Sequence, residues 1–334
     1  MEKADQPMDR PSDFGTVEGA TVTILVDNRA DLLVPSTDTV QRYTEEPLLA
    51  EHGFSALVDL PGGPRILWDA GMSRIALREN MRRMRIDPST IDQIALSHGH
   101  GDHTAAMTDV IQAACRRPQP KKWDKAATPA EIVNWAKGRP IPLIAHPAAF
   151  RERWSIQPDG TKYGPAHSPP RAEWEAAGAE ILLSEGPFKL ADGCWTTGAI
   201  PRVTFETAGT SPNRAYRQGD QFLPDRLEDD QSIVLNVQGK GLVVLSGCAH
   251  AGIVNTIHHA RQISGVDTIW AVIGGFHLAR ADAEEIQQTI DALRSMAPQL
   301  VVPTHCTGFD ATRHFASQMP EAFTLNVVGT AYRF

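Results

Sequence analysis

The chain has 334 residues, of which 42% are hydrophobic and 22% charged, and its formal net charge is −8. This composition is that of an ordinary soluble globular protein with ample material for a core, arranged as one large domain or two small ones. The acidic balance argues against a general nucleic-acid or membrane-surface binder, since both want a basic face. No apolar run approaches the roughly 18 residues of a membrane span.

Residues 1–19, MEKADQPMDRPSDFGTVEG, are polar and carry proline without an apolar h-region. They read as a flexible leader or packing arm rather than a signal peptide, with a single domain expected over 20–334. Strand-like runs follow: TVTILVDN (21–28), FSALVDL (54–60), RILWDAG (65–71), QIALSHGH (93–100) and IPLIAHP (141–147). The second half offers AEILLSE (179–185), CWTTGAI (194–200), QSIVLNVQ (231–238), GLVVLSGCAH (241–250), TIWAVIGGFH (268–277) and LVVPTHC (300–306). Each ends in a polar or Gly-containing loop. Helical spacing is found over 73–86, 251–264 and 282–296, with Ser73 and Asp282 in capping positions. A shorter helix is predicted over 128–138. It lies in a Pro- and Lys-rich segment, 118–140, that reads as an insertion: a lid or a homodimer contact.

Strands mixed with helices throughout predict an α/β fold with sheet covered by helices. Several strands end in residues able to ligate: Asn28, Asp69, His98, His100, Cys248, His250, His277 and His305. The carboxyl ends of strands are where α/β proteins gather their sites, so these endings point to one convergent site. The four cysteines, Cys115, Cys194, Cys248 and Cys306, form no C-x-x-C pair. A reducing, cytoplasmic setting is the simpler expectation.

The densest chemistry is LSHGHGDHT, residues 96–104, with three histidines and one aspartate in six positions. In an extended turn, residues two apart share a side. His98 and His100 can then chelate one ion while Asp102 and His103 face a second position. Imidazole and carboxylate suit Zn²⁺, and iron or manganese fits the same donor types. The competing reading is a His-rich solvated loop.

The pattern H-x-H-x-D-H after a buried strand resembles the metallo-β-lactamase superfamily, as do ILWDAG with Asp69 and VVPTHCTG with His305. The pieces ILVDNRAD, EHGFSALVD, GAIPRVTFE, DDQSIVLNV, SGCAHAGIVNTI, GGFHL and PTHCTG resemble its dihydropterin–ribofuranosylaminobenzene 5′-phosphate synthase-like branch. The resemblance runs from about residue 21 to the C-terminus, apart from 118–140. It implies a four-layer αββα sandwich, two mixed sheets with helices outside and metals at one edge. Two departures stand out. Cys248 occupies or neighbours the position of the superfamily's bridging aspartate, and TTGAIPR lacks the histidine that often precedes that strand. His250 is the natural substitute ligand. Cys248 is read as a ligand, a residue behind the ligands, or buried packing. One metal on Asp102, His103 and His250, or two with an unusual bridge, both remain open.

The resemblance makes His305 a ligand or a near-site histidine. Asp69 is expected to orient a metal histidine from behind, and His277 to face substrate or transition state. Asn28 and Arg202 are candidate substrate contacts, and Arg214 and Arg217 candidate binders of phosphate or carboxylate. His258 and His259 read as surface residues, His52, His146 and His314 as structural, and His167 as overhanging the pocket.

The expected activity is zinc-dependent hydrolysis of a small-molecule ester, lactone, phosphoester, amide or aryl halide. Asp102 or His250 would steer the water and His277 would stabilise charge or protonate the leaving group. The resembled branch implies instead the condensation of a pterin with an aminobenzene ribosyl phosphate. A non-hydrolytic metal or redox-binding protein is the alternative of another class. Fold does not choose among these.

Overall fold

The protein is described by a computed structural model covering residues 13–115, 126–137 and 139–334. Residues 1–12, 116–125 and 138 lie outside the described residues, so the expected insertion at 118–140 is described only in part. Within that segment Pro129–Lys137 is helical, and Thr128 and Glu131 cap it reciprocally.

Two large sheets face each other. The first has eight strands, in the order Val40–Arg42, Thr330–Arg333, Thr21–Val26, Ser55–Asp59, Arg65–Trp68, Gln93–Ala95, Ile141–Ala145 and Ala179–Leu183. The second has six: Phe188–Ala191, Cys194–Thr196, Ser232–Val237, Gly241–Ser246, Ile269–Gly275 and Leu300–Thr304. Each is antiparallel at one side and parallel at the other. A small antiparallel sheet, Gln221–Pro224, Arg214–Gln218, Arg153–Ile156 and Lys162–Tyr163, lies outside both. The sequence did not suggest it, because its strands are short and largely polar and carry no period-two apolar signal.

Alternation along the strands explains the layering, because successive side chains point to opposite faces. Ala56, Val58, Ile66 and Trp68 of the first sheet meet Ile233, Leu235, Val243 and Leu245 of the second between the sheets. The intervening Leu57 and Leu67 face outward onto Leu77 and Met81 of helix Ala76–Arg83, Val110 and Ile111 of Met107–Ala114, and Trp174 of Arg171–Ala177. On the other side Leu242 and Val244 pack against Ile253–Ser264, Ala283–Met296 and Phe309–Gln318. Each such large side chain, fully buried, contributes about 1.5–3 kcal/mol. Among the described residues no helix is long and apolar enough to cross a membrane.

The expected helices 251–264 and 282–296 are observed as Ile253–Ser264 and Ala283–Met296, the latter with Asp282 accepting from Glu285 N at 2.8 Å. The helix expected over 73–86 is shorter, Ala76–Arg83, and is followed by Arg85 at φ 56°. Arg171–Ala177 and Phe309–Gln318 were not anticipated. Residues 13–19 are packed rather than free. Phe14 stacks on Trp195 at 5.6 Å and Val17 bridges to Val237.

Candidate metal centre

Parallel strands bring their carboxyl ends to one edge, and the loops leaving them supply the donors. Asp69 follows Arg65–Trp68, and His98 to His103 follow Gln93–Ala95. Cys248 and His250 follow Gly241–Ser246, His277 follows Ile269–Gly275, and His305 follows Leu300–Thr304. The backbone turns sharply here: Asp69, Ala249, His277 and His305 all hold left-handed φ, between 48° and 60°. Such strain gathers at functional sites, where the surrounding structure over-determines it.

Two glycines permit the close approach. A Cβ on Gly99 would stand 2.0 Å from Ala149 O and 2.7 Å from an Arg153 guanidinium nitrogen. A Cβ on Gly247 would stand 2.2 Å from Ser97 Oγ and 3.0 Å from Asp69 Oδ2. Gly99 is further held by Asp229, which accepts its N–H at 2.8 Å. Asp229 in turn pairs with buried Arg153 at 2.6 Å, and Arg153 Nε donates to Asp225 at 2.8 Å. The histidine loop therefore rests on a buried ionic network that sequence reasoning missed.

Three donor sets converge, each with its ligand atoms within 4.8 Å of one another: Asp102, His103, Cys248 and His305; His98, Cys248 and His250; Cys248, His277 and Cys306. Cys248 Sγ is common to all three and lies 3.1 Å from His103 Nε2. His100 joins the second set, its Nδ1 at 2.9 Å from His98 Nε2 and 3.2 Å from His250 Nε2. This arrangement corrects the one-metal alternative of Asp102, His103 and His250. His250 projects toward His98, with the two Nε2 atoms 3.2 Å apart, and belongs to the other set.

The hydrogen-bond partners decide where the imidazole protons sit. His250 Nδ1 donates to Gly209 O at 2.9 Å, leaving Nε2 bare. Ser97 Oγ spends its own proton on Asp69 at 2.6 Å, so it accepts from His98 Nδ1 at 2.9 Å, and His98 Nε2 is bare as well. His103 Nδ1 donates to Asp69 Oδ2 at 2.7 Å, and His305 Nδ1 to Asn28 Oδ1 at 3.4 Å. His305 Nε2 is buried without a hydrogen-bond partner, 3.4 Å from Asp102 Oδ2. Arg214 donates to His100 Nε2 at 2.8 Å, so His100 Nδ1 carries a proton directed at His98 Nε2 and His250 Nε2, one that a metal ion bound there would replace. Nitrogen, oxygen and sulfur donors of this kind suit zinc. The residues present therefore fit a metal ion.

Electrostatics agree. Burial and the neighbouring rings hold His98 and His250 well below the ordinary imidazole value, and burial with Arg214 pushes His100 down to about 3. Burial opposes charge on Asp102, but His103 and His305 outweigh it and keep the carboxylate ionised far into acid. His103 is different. Burial lowers it, yet Asp69 and Asp102 raise it to about 9, so its inner nitrogen carries a proton that a metal must displace.

Several expected roles are changed by the geometry. Arg202 donates to His250 O and, at 2.6 Å, to Arg226 O. It is thereby committed to holding the His250 loop rather than facing substrate. Asn28 grips His305 from both sides of its amide, donating to His305 O at 3.0 Å, while also lining a cleft of about 200 Å³ with Arg29 and Phe309. His259 is not a surface residue: it is 2% exposed, with Nε2 3.2 Å from Thr197 O. The helix Ile253–Ser264 buries Asn255, Thr256 and His259 as well as its apolar stripe. His52 lies beside the centre, 3.5 Å from Asp102 Oδ2 and 5.0 Å from the His305 ring. His167 packs over Gly101, and His146 caps the turn after Ile141–Ala145 through Ala148 N at 3.1 Å. The His277 ring lies against that of His250, with centroids 4.1 Å apart and planes tilted by 46°, and its Nδ1 is buried without a hydrogen-bond partner. Cys306, adjacent to His305, was not singled out as a donor.

A family model described as the metallo-beta-lactamase superfamily matches residues 49–305, and the chain belongs to that superfamily. Within it the chain falls in the branch of the dihydropterin–ribofuranosylaminobenzene phosphate synthase. It is 30% identical over 315 residues to the 7,8-dihydropterin-6-methyl-4-(beta-D-ribofuranosyl)-aminobenzene-5'-phosphate synthase of Methanocaldococcus jannaschii, covering 90% of this chain and 99% of that protein. Among solved structures it is similar to Tm1679, a metal-dependent hydrolase of the β-lactamase superfamily. The TM-score is 0.67 at 21% identity, over 94% of this chain and 98% of that one. It is also similar to YhfI of Bacillus subtilis, a metallo-beta-lactamase fold protein, with TM-score 0.51 at 10% identity over 95% and 100%. At these identities the structures speak for the fold.

Proposed function

We propose that the protein is a zinc-dependent hydrolase of a small-molecule substrate. The observation that carries this reading is the inward convergence of imidazole, carboxylate and thiol donors around Cys248, with outer nitrogens anchored by Asp69, Ser97, Gly209 and Asn28. A divalent ion held there supplies Lewis acidity and lowers the pKa of water toward ~7. Asp102, ionised and with its side chain 19% exposed, would steer an incoming water by accepting its hydrogen bond. His277, with an unpartnered buried nitrogen, is placed to stabilise developing charge or to give a proton to the leaving group.

A second reading, condensation of a pterin with an aminobenzene ribosyl phosphate, is favoured by the similarity to the M. jannaschii synthase along nearly all of that protein. One experiment separates the readings: elemental analysis and a visible spectrum of the purified protein, run with ester, lactone, phosphoester, amide, aryl-halide and condensation assays. The hydrolase reading expects a colourless zinc protein whose turnover of a hydrolysable class is lost with chelator and in His103→Ala. Turnover confined to the condensation favours the second reading. A coloured iron protein inert in every assay overturns both in favour of a redox role.

A further inference from the structure

Cys306 is a nucleophilic sulfur at the centre that the proposed hydrolysis leaves unused. The chain turns after Leu300–Thr304 and brings Cys306 Sγ to 3.4 Å from Cys248 O. The Cys306 and Cys248 sulfurs and a His277 nitrogen all lie within 4.8 Å of one another. Gly275 ends the strand Ile269–Gly275, which runs between the two that lead to these cysteines, and it keeps the gap clear. A Cβ on Gly275 would stand 2.6 Å from Cys306 Sγ and 3.2 Å from Cys248 Cα. All four cysteines are free. The other two lie elsewhere: Cys115 packs against Gly178 and Arg139 O, and Cys194 is buried between the sheets.

The paired thiols differ in access. Cys306 is partly exposed, whereas Cys248 is 2% exposed. A small oxidant such as hydrogen peroxide therefore meets Cys306 first. Its sulfur attacks a peroxide oxygen: an S–O bond forms, the O–O bond breaks, and water leaves with the thiol proton. Cys248 Sγ then attacks the sulfur of this sulfenic acid. The S–S bond forms, the S–O bond breaks, and a second water leaves with the Cys248 proton. The two sulfurs lose two electrons in all, and the peroxide gains them. A dithiol reverses the bond by exchange.

We propose that Cys248 and Cys306 form a reversible oxidation site for hydrogen peroxide, and that their disulfide closes the centre to metal. The bond follows from the placement of the sulfurs; its effect on metal rests on the metal-centre reading. Cys248 Sγ belongs to all three donor sets, so one bond withdraws the shared donor from each. The thiolate is the ligand form of cysteine, and a disulfide sulfur cannot supply it. Conversely, zinc held by Cys248 occupies the sulfur that must resolve the sulfenic acid. Loaded protein is shielded and empty protein is not.

The test treats full-length protein, metal-free and zinc-loaded, with stoichiometric hydrogen peroxide, for wild type, Cys306→Ser and Cys115→Ser. Non-reducing peptide mass mapping locates the bond. Competition with a chromophoric chelator measures zinc uptake before oxidation, after it, and after dithiothreitol. In metal-free wild type and Cys115→Ser, the expected result is a link between the Cys248 and Cys306 peptides. Their zinc affinity falls at least tenfold and returns with dithiothreitol. Zinc-loaded protein forms the link at least tenfold more slowly, and oxidised Cys306→Ser keeps its zinc affinity within twofold. Thiols that survive in metal-free wild type overturn the proposal, as does sulfinic acid on Cys306 without a link. A link that leaves zinc affinity within twofold also overturns it, and so does Cys306→Ser losing zinc as wild type does. Reduced wild type that takes up no zinc overturns the metal-centre reading instead, and the peptide map then decides the oxidation site by itself.

Discussion

Asp69 accepts the Nδ1 proton of His103 at 2.7 Å, and both side chains are wholly buried. The carboxylate fixes which nitrogen of the ring faces Cys248 and the other donors. Asparagine at 69 tolerates the left-handed backbone at φ 60° but removes the charge. Asp69→Asn is expected to weaken zinc affinity about 10- to 100-fold, read as the midpoint of a competition with a chromophoric chelator. An unchanged midpoint would show that Asp69 does not orient His103.

Gly99→Ala tests the fit of the histidine loop against the turn at Ala149. The added methyl group meets a backbone carbonyl at 2.0 Å, which a flexible side chain cannot relieve. We expect a loss of about 1–3 kcal/mol of stability and a lower zinc stoichiometry, measured by denaturant unfolding and elemental analysis. Retention of both would mean the loop shifts freely.

Arg153→Met leaves Asp225 and Asp229 as buried carboxylates without their shared counter-ion. Breaking a buried pair from one side costs about 3–5 kcal/mol. The same change releases Asp229 from its fixed hold on Gly99. Urea unfolding should show the loss, and a midpoint close to wild type would refute the structural role given to this network.

Asp230 sets a pH dependence. Burial raises its carboxyl to about 6, its Oδ1 has no partner, and its Oδ2 accepts from Ala251 N at 2.8 Å. The folded state thus binds a proton more tightly than the unfolded chain, whose carboxyl titrates near 3.9. Its contribution to stability is fully present below about 3.9 and is lost as pH rises through about 6. Asp230→Asn should therefore gain on wild type, by on the order of 1–3 kcal/mol, between pH 4 and pH 7.5. Metal-free protein unfolded in urea at both pH values gives the comparison, and a gap that does not move with pH contradicts it.

The histidine motif could be read from sequence because four donors fall within six residues after a buried strand. His250 and Cys248, two apart, were legible for the same local reason. What sequence does not carry is the grouping of donors from distant loops. Nothing in SGCAH says that His250 turns toward His98 rather than His103, or that Cys248 Sγ stands among all three sets. Arg153, Asp225 and Asp229 looked like solvated charges because their pairing joins a strand of the small outer sheet to residues 72 and 76 positions further along the chain. Arg202 looked free for the same reason, its backbone partners lying 48 and 24 positions away. His259 was misplaced because a helix between sheet and loops can bury polar flanks that periodicity assigns to water.

His98 and His250 come from opposite sheets, 152 positions apart in the chain, yet their nitrogens stand 3.2 Å from each other. An ion shared by them would act as a rivet through the sandwich, closing a loop of that length. In the chain-entropy model a cross-link of this span restrains the unfolded chain by about 5 kcal/mol. For this fold a chelator would then do what a reductant does to a disulfide-bonded protein: it would unfasten the two halves before any single side chain is lost.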